Sequence, residues 1–404
     1  MDEKHLSQMQ KSFQLVQSRF MQISNDEKTK KLQEDVINIR KKSIENMDNL
    51  IISAKENFKR NDIDFFEAHD GDEAIDIITR LVNEYDPDNK LVIKSKSNTM
   101  GEIKSRDKLE SNGIKIIETD LGDRLLQLKS KDNRPVHNTG PAAHLSIEEI
   151  TEIVNDSLGT NLEPKHKDIM ETVRKDIFTY IKDAKVGITG ANAIAALDGA
   201  FAIVHNENNV AYASSRQLHI VLAGIDKLVS TVEEAVSICK LESIFGTGSP
   251  ISSYINIIAG PSKTADIEKK LLKPMYGAER VVVIFLDNGR SNANHEGLWC
   301  INCGNCVVNC PVYNTVGNEF GFNYYLGGRG VAMSRFLNEN ESKDDDKLFM
   351  CTLCGMCTFY CPVHTPTNDL IENLRSVSDY HMDVHKKIKD NINSKGSPYN
   401  DNNS

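Results

Sequence analysis

The 404-residue sequence predicts an α/β fold, preceded by a helical arm and followed by a smaller, mainly helical module. Three observations support this organisation. Apolar residues recur at helical spacing over residues 1–60, strand and helix patterns alternate over 61–290, and eight cysteines cluster beyond 291. We therefore expect an N-terminal helical arm (1–60), an α/β domain (61–290), a helical module (291–385) and a disordered tail (386–404).

The arm combines a charged background with apolar side chains at helical spacing. The spaced residues are Leu15, Phe20, Ile23, Leu32, Val36, Ile39 and Ile44. An amphipathic helix usually packs its apolar face on the core of its own domain, which is the favoured interpretation here. A docking element for a partner protein is the less favoured alternative.

The α/β domain is predicted from strands that alternate with helices, the pattern of a mixed or mostly parallel sheet. The expected strands span residues 64–69, 91–94, 114–119, 186–189, 201–205, 219–223 and 281–285. Helices are expected over residues 71–85, 100–112 and 231–240.

Composition restricts the functional classes. The net charge of −10 and the pI near 5.6 disfavour a protein that binds nucleic-acid backbones. The sequence contains no run of about 18 apolar residues, so no membrane span is predicted. The residues following Met1 are charged rather than apolar, unlike a signal peptide, and we expect a cytoplasmic protein. In that reducing compartment, clustered cysteines indicate metal ligands rather than disulfides.

The cysteines form two runs with the spacing C-x2-C-x2-C-x3-C-P, which is typical of proteins with two 4Fe–4S clusters. In this pattern three cysteines wrap one cluster and the fourth ligates the other cluster. The spacing therefore assigns one cluster to Cys300, Cys303, Cys306 and Cys361, and the other to Cys351, Cys354, Cys357 and Cys310. Gly304 and Gly355 allow tight loops, and Pro311 and Pro362 direct the outgoing chain.

Zinc is the alternative occupant of a cysteine-rich site, but zinc sites usually combine two separated C-x2-C pairs. A repeated trio with a fourth cysteine and a proline fits that arrangement poorly. The spacer from 312 to 350 is long and contains a helical pattern over 331–337, while Gly327, Gly328 and Gly330 predict a tight turn. Cys239, the ninth cysteine, lies in an apolar helical stretch and is interpreted as a packing residue.

Polar loops follow several predicted strands of the α/β domain, where open α/β sheets place their ligands. The loops cover residues 94–99, 187–192 and 206–209. They contain neither a P-loop nor a G-x-G-x-x-G motif. Our candidate contacts for a small anionic ligand are Lys94, Ser95, Asn192, Asn206 and His219. Lys94 would act as a point charge, whereas His219 is favoured as a structural histidine.

At these residues the sequence resembles the iron–sulfur subunit of the lactate-utilisation complexes, whose N-terminal part is the LUD domain. The resemblance covers about residues 60–375. It includes the segments 94–97, 118–122, 187–192, 219–220, 260–268 and 286–290, together with both cysteine runs. It implies a fold similar to the ribose-phosphate-isomerase and CoA-transferase group. It also implies a complex that oxidises L-lactate, with a cysteine-rich protein and a second LUD protein as companion subunits.

The sequence departs from the family pattern at five positions that we expect in the ligand cleft. They are Met100, Gly101, Leu197, Asn208 and Arg216.

These features predict the iron–sulfur electron-transfer subunit of a 2-hydroxy-acid oxidising complex, with L-lactate as the expected substrate. One alternative is a ferredoxin-like subunit of another oxidoreductase, such as a heterodisulfide-reductase-type complex. Another alternative is a small-molecule-binding or transferase-like enzyme whose clusters are structural or regulatory.

Overall fold

The N-terminal arm packs on the rest of its own chain in the computed structural model, which describes residues 1–129, 134–322, 324–337, 346–378, 380 and 382–399. It comprises α1 (Glu3–Ile23), α2 (Glu27–Glu45) and α3 (Met47–Arg60). Phe13 of α1 packs into the C-terminal module, and Phe20 packs 4.8 Å from the Phe245 ring of the α/β domain. Leu15, although part of the predicted repeat, is exposed.

The strands form a six-stranded parallel sheet, a four-stranded mixed sheet and a short hairpin. They are β1 (Ile63–Ala68), β2 (Leu91–Lys94), β3 (Lys115–Glu118), β4 (Val186–Thr189), β5 (Ala193–Ala195), β6 (Ala200–His205), β7 (Leu218–Gly224), β8 (Leu228–Val229), β9 (Tyr254–Ile258), β10 (Arg280–Leu286), β11 (Gly321–Phe322) and β12 (Tyr325–Leu326). The order of the parallel sheet is β1-β10-β7-β4-β2-β3, and that of the mixed sheet is β8-β5-β6-β9.

Alternation along the strands explains why the parallel sheet is covered on both faces. In β10, Val282 and Ile284 join a core formed with α4 and α6, whereas Val283 and Phe285 face α3 and the mixed sheet. The mixed sheet is itself two-sided, since Phe201 packs toward α3 and its neighbour Ala202 packs on α11. The helices of this domain are α4 (Gly71–Tyr85), α5 (Asn98–Glu102), α6 (Ser105–Ser111), α7 (Leu121–Leu128), α8 (Ile147–Leu158), α9 (His166–Asp183), α10 (Asn209–Ser214) and α11 (Val232–Thr247), with a 3-10 turn at Ile225–Lys227.

In the α/β domain the predicted strands and helices lie close to the observed ones, with one correction. The single helix expected over residues 100–112 is two helices, α5 and α6. Lys104 separates them in a left-handed conformation with φ of 52°. Such a residue cannot continue a right-handed helix, and the change of direction follows from this backbone geometry.

The C-terminal module consists of short helices around the cysteine runs. They are α12 (His295–Leu298), α13 (Asn305–Val308), α14 (Pro311–Val316), α15 (Gly327–Met333), α16 (Asp346–Met350), α17 (Met356–Phe359) and α18 (Thr367–Ser376), with 3-10 turns at Arg290–Asn292 and Gly317–Glu319. The glycines at 327, 328 and 330 do not form the predicted turn but begin α15. A Cβ at Gly330 would lie 1.7 Å from the Tyr325 carbonyl oxygen, so close packing against the hairpin requires glycine.

A buried ionic network joins the α/β domain to this module. The Arg290 guanidinium donates to both carboxylate oxygens of Glu102 at 2.9 and 2.6 Å, and to Asp226 at 2.5 Å. The Tyr325 hydroxyl donates to Glu102 at 2.6 Å. Arg40 of α2 adds a hydrogen bond to the Asp226 carbonyl at 2.6 Å. The arm, the sheet domain and the cysteine-rich module are therefore tied together at one point.

The helix α19 (Asp383–Lys395) begins before the tail predicted to be disordered and extends into it, and it buries none of its side chains. Asp383 lies in its first turn, and Gly396 ends it in a left-handed conformation with φ of 71°. The helix therefore follows from local end signals that the composition-based prediction did not weigh, while residues 400–404 of the predicted tail lie outside the described part.

Among the helices of the described ranges, none combines the length and the apolar character needed to cross a membrane.

Candidate functional site

The two cysteine runs fold into loops of the same shape. Asn302 and Leu353 occupy equivalent positions and adopt left-handed conformations with φ of 60° and 55°. Gly304 and Gly355 follow with φ of 80° and 75°. Left-handed residues at these positions turn the backbone tightly in both loops. The sequence repeat is therefore a repeat of backbone geometry as well.

Backbone amides approach the cysteine sulfurs in both loops. The N–H of Asn302 donates to Cys300 Sγ at 3.3 Å, and the N–H of Leu353 donates to Cys351 Sγ at 3.4 Å. The last cysteine of each run accepts a similar hydrogen bond. The amide of Tyr313 lies 3.4 Å from Cys310 Sγ, and that of Thr365 lies 3.3 Å from Cys361 Sγ. Such bonds stabilise thiolate charge and tune the potential of a bound cluster.

The second cysteine group comprises Cys310, Cys351, Cys354 and Cys357. These four residues, three from the second run and one from the first, line a common pocket. Burial, supported by the nearby Cys351 and Cys354 sulfurs, raises the pKa of Cys310. The fourth cysteine of the first run therefore lies with the second trio.

The first cysteine group is the predicted set Cys300, Cys303, Cys306 and Cys361. Burial raises the pKa of Cys303 and Cys306 well above the usual range, and the Cys361 sulfur adds to that rise in both. Burial together with the Cys300 sulfur raises the pKa of Cys361 in turn. The arrangement is thus the reciprocal of the second group.

Both groups fit iron–sulfur clusters chemically. Neighbouring thiolates repel one another, whereas bound iron stabilises the thiolate form of several cysteines together. Cys239 does not belong to either group. It is fully buried in α11, and burial raises the pKa of its thiol far above the usual range. These properties agree with the predicted packing role.

The loops of the two cysteine runs differ in their access to solvent. In the second run Cys354 is exposed, and α17 contains no buried residue. Phe359 at the end of α17 is 77% exposed. In the first run Cys303 is buried. The second loop therefore lies at the surface, while the first loop faces the α/β domain.

A cavity of about 220 Å³ lies between the first cysteine loop and the carboxyl edge of the parallel sheet. Ile301 and Asn302 form its wall on the side of the cysteine loop. The opposite walls come from loops that follow β2, β4 and β6, the last two strands belonging to the parallel and mixed sheets respectively. Their lining residues include Ser95, Lys96, Asn192, Asn206 and Asn209.

Four buried polar atoms of residues that line this cavity have no hydrogen-bond partner among the described residues. They are Ser95 Oγ, Asn209 Oδ1 and the two ring nitrogens of His205, whose residues are 1%, 7% and 6% exposed. Buried polar atoms are normally hydrogen-bonded, and exceptions often mark a binding site. The half-buried ammonium of Lys96 likewise forms no ion pair within the described part of the chain. The cavity therefore offers unused hydrogen-bonding capacity and a cation.

The structure brings three of the five predicted ligand contacts to this cavity, namely Ser95, Asn192 and Asn206. Asn192 donates to the Glu242 carboxylate at 2.7 Å and accepts from the Val204 amide at 2.9 Å. Asn206 accepts from the Ser253 amide at 2.8 Å. The two asparagines thus hold the walls in place.

Lys94 does not reach the cavity. Its ammonium donates to both oxygens of the Glu118 carboxylate at 2.9 and 2.8 Å, and both side chains are buried. The pair lines a neighbouring cavity of about 70 Å³. Because this carboxylate already occupies Lys94, the structure provides no support for its predicted ligand contact.

His219 also lies elsewhere, within the central strand β7. Its Nε2 lies 2.8 Å from Thr189 Oγ1, and the residue is fully buried. Burial lowers the pKa of His219 to about 3. The neutral imidazole is part of the sheet core, which agrees with the favoured structural interpretation.

Replacing His219 with glutamine should weaken the acid sensitivity of the fold. Its pKa is about 3 when folded but about 6.5 when unfolded. Only the unfolded state binds this proton between those values, so wild-type stability falls as the pH falls through that window. The stability difference between the two proteins should therefore shift by about 2 kcal/mol in favour of the variant between about pH 7 and about pH 5.

Urea unfolding at both pH values measures this shift. Exposed His166→Gln is the control and should show no shift. A difference for His219→Gln that does not change with pH would contradict a neutral buried imidazole.

The departures from the family pattern do not all lie in a cleft, which corrects our expectation. Met100 and Gly101 line the smaller cavity, where a Cβ at Gly101 would lie 2.3 Å from the Tyr324 ring. The other three lie outside both cavities. Leu197 is exposed, Asn208 adopts a left-handed turn, and Arg216 donates to the Ile181 and Tyr212 carbonyls.

Several residues around the two cavities were missed by sequence reasoning. His137 Nε2 lies 3.3 Å from the Gly304 carbonyl, and burial lowers its pKa to about 4. Asn138 donates to the Asn302 carbonyl at 3.3 Å. No local pattern marks these residues, because segments more than 160 positions apart meet here. Lys96 did lie within a segment that we had identified, but was not selected.

Comparisons with known proteins agree with this organisation. The LUD domain family matches residues 51–286, and the 4Fe-4S dicluster domain family matches residues 297–365. A crystal structure of a DUF162 family protein from Deinococcus radiodurans aligns over 59% of this chain and 98% of its own, with 11% identity and a TM-score of 0.32. That structural likeness is too distant to inform the site.

The curated relatives include several proteins named lactate utilization protein B. The protein from Geobacillus thermodenitrificans (strain NG80-2) is 32% identical over 350 residues, which cover 84% of this chain and 70% of the relative. The protein from Anoxybacillus flavithermus (strain DSM 21510 / WK1) is 32% identical over 340 residues, which cover 82% and 69%. The chain belongs to the LUD domain family, and its C-terminal 4Fe-4S dicluster domain carries two 4Fe–4S clusters.

Proposed function

We propose that this chain is the iron–sulfur electron-transfer subunit of a complex that oxidises a 2-hydroxy acid, with L-lactate as the favoured substrate. The observation that carries the proposal is the pair of reciprocal four-cysteine groups beside a polar cavity. Relatives named lactate utilization protein B support the choice of substrate. The companion subunits would be a cysteine-rich protein and a second LUD protein.

The ligands of the two clusters are proposed from the grouping of the sulfurs. One set is Cys300, Cys303, Cys306 and Cys361, and the other is Cys310, Cys351, Cys354 and Cys357. When bound, the clusters would supply one-electron transfer.

The protein contributes backbone amides and a nearby cation to the second group. Arg375 donates to the Leu348 carbonyl at 2.7 Å and also to the Cys351 carbonyl. Its guanidinium opposes the rise that burial produces in the pKa of Cys351. Arg375 would therefore favour the thiolate form at the more exposed loop.

The exposed second loop supports a role in contact with a redox partner. Cys354 and the 77% exposed Phe359 lie on the same surface segment. A structural cluster has no need of surface access, whereas electron exchange between proteins requires a short approach. This difference in exposure favours electron transfer over a purely structural role.

Reduction by L-lactate tests the proposal. The protein is purified anaerobically, and iron and sulfide are measured, with about eight irons expected per chain. EPR spectra are then recorded as L-lactate is added, with and without the companion subunits. We expect the reduced-cluster signal to appear when the complete set of subunits is present.

Two other outcomes would redirect the assignment. Clusters that respond only to a strong chemical reductant would overturn the lactate assignment. A Cys354→Ala complex that loses its iron at the second group but retains full lactate turnover would overturn the electron-transfer role.

A further inference from the structure

We propose that the cavity beside Asn302 binds a small hydroxy-carboxylate, and that Asn302 links this ligand to the first cysteine group. The inference rests on the proposed function and deepens it. It assigns the substrate-class ligand to the LUD domain of this chain, whereas the proposed function requires only that some subunit of the complex binds it.

The hydrogen-bonding atoms of the cavity select a hydroxyl group. Asn209 Oδ1 lacks a donor, and Ser95 Oγ lacks any partner, although both residues are more than nine-tenths buried. An unsatisfied buried polar group costs about 1–3 kcal/mol. A ligand hydroxyl can donate to the amide oxygen and accept from the serine. A purely apolar ligand would leave both atoms unpaired.

The charges of the cavity select a monoanion. Lys96 is the half-buried cation without an ion pair in the described ranges, and it can meet one carboxylate. Lys227 also lines the cavity, but its ammonium is paired with Asp226 at 3.8 Å, and three acidic residues, Asp120, Glu207 and Glu242, line the cavity as well. Burial raises the pKa of Glu207 to about 7 and also raises the pKa of Glu242. The Asp120 carboxylate and the ionised fraction of these two would still repel a second negative charge, so the dianionic form of phosphate should bind poorly. A small acid with one carboxylate and one hydroxyl meets both requirements.

Asn302 connects this ligand site to the first cysteine group. Asn302 lines the cavity, and its backbone N–H donates to Cys300 Sγ at 3.3 Å. Asn138, which also lines the cavity, holds the Asn302 carbonyl at 3.3 Å. A ligand placed against Asn302 therefore changes the surroundings of a sulfur-bonded amide. Hydrogen bonds and solvent access around sulfur tune a bound cluster.

Isothermal titration calorimetry of the anaerobically purified full chain, without companion subunits, tests binding directly. The probes are L-lactate, propionate, which lacks the hydroxyl, and inorganic phosphate. We expect L-lactate to bind at least about tenfold more tightly than propionate, because propionate leaves Asn209 without a donor. Phosphate should give no measurable binding at the same concentrations.

Two variants locate the site. Lys96→Met should weaken binding of L-lactate and propionate alike by at least about tenfold, since the carboxylate loses its cation. Asn209→Leu should remove the preference for L-lactate over propionate. The matched controls Lys240→Met and Asn49→Leu alter exposed residues and should bind like the wild type. Iron content and circular dichroism confirm that each variant is folded and loaded.

EPR of the chemically reduced protein tests the link through Asn302. L-Lactate should change the signal of one cluster in the wild type but not in Lys96→Met at the same concentration. Binding without any spectral change would overturn the link. Absence of monocarboxylate binding, equal binding of phosphate, or binding unaffected by both cavity variants would overturn the site. These outcomes are independent of whether lactate reduces the clusters of the assembled complex.

Discussion

Replacing Cys310 with alanine will remove the cluster of the second cysteine run and spare that of the first run to which Cys310 belongs. Cys310 lines a pocket with Cys351, Cys354 and Cys357. Cys306, the preceding cysteine of the first run, lies near Cys300, Cys303 and Cys361, and Cys357 contributes least to its raised pKa. Loss of one of four thiolates should release that cluster, and iron should fall from about eight to about four per chain.

Spectra of matched variants show which cluster is lost. The residual EPR signal of Cys310→Ala should match that of Cys354→Ala, and that of Cys361→Ala should match Cys303→Ala. The surface position of Cys354 makes its variant the least disruptive reference for loss of the second cluster. Cys239→Ala is the control and should retain about eight irons, because Cys239 belongs to neither group.

The contrary result is equally defined. If Cys310→Ala retains the EPR signal that Cys354→Ala loses, each run holds its own cluster. The proposed crossing would then be wrong, although the count of two clusters would stand.

The sheet was predictable because buried parallel strands are short apolar runs between polar loops. Residues 91–94 and 186–189 match β2 and β4 from end to end. The break at Lys104 was not predictable in this way, since a left-handed lysine within a helical pattern leaves no mark on the periodicity. Backbone direction there depends on how α5 and α6 pack, which periodicity does not encode.

The candidate cavity was predictable only in part. Ser95, Asn192 and Asn206 follow strands, and carboxyl ends of strands meet at one edge of a sheet. The pairing of Lys94 with Glu118 follows from the register of β2 and β3, in which these residues are direct neighbours. That register requires the strand order, which the sequence alone did not provide.

The wall formed by Asn302 was outside the reach of sequence reasoning. It depends on docking of the cysteine module against the α/β domain, and the contacts responsible join distant parts of the chain. Asn138 meets Asn302, and Thr139 donates to the Gly246 carbonyl at 3.1 Å. Local propensity carries no information about such contacts, whereas it was sufficient for the strands.

Replacing Arg290 with methionine will lower the free energy of unfolding by about 3–5 kcal/mol. Arg290 and Glu102 are 3% and 1% exposed at their side chains, and Arg290 also binds Asp226. Removing the guanidinium takes from both buried carboxylates the cation that donates to them at 2.5–2.9 Å, and leaves Asp226 with Lys227 at 3.8 Å. Burial opposes ionisation of Asp226, but Arg290, Lys227 and Arg40 lower its pKa far below the usual range. Arg290, the residue removed in the variant, makes the largest of these favourable contributions to the Asp226 carboxylate.

The matched control is Arg280→Met, which also removes an arginine that binds two carboxylates. The side chain of Arg280 is 27% exposed, and its partners Asp64 and Glu84 are 49% and 57% exposed. Solvent screens these charges, so the control should cost at most about 1 kcal/mol. A second comparison is the double variant Arg290→Met with Glu102→Gln. It should recover part of the lost stability, because one of the two buried negative charges is removed.

Anaerobic urea unfolding measures these differences at matched iron content. The single tryptophan, Trp299, reports on the junction directly, since its carbonyl accepts from Arg40 Nε at 3.1 Å. Cluster absorbance followed in the same titration reports on the C-terminal module. We expect Arg290→Met to lower both midpoints, because the network joins that module to the α/β domain. Equal costs for Arg290→Met and Arg280→Met would show that the buried network contributes no more than a surface ion pair. A loss confined to the tryptophan signal would show that the cysteine module is stable without its attachment to the sheet.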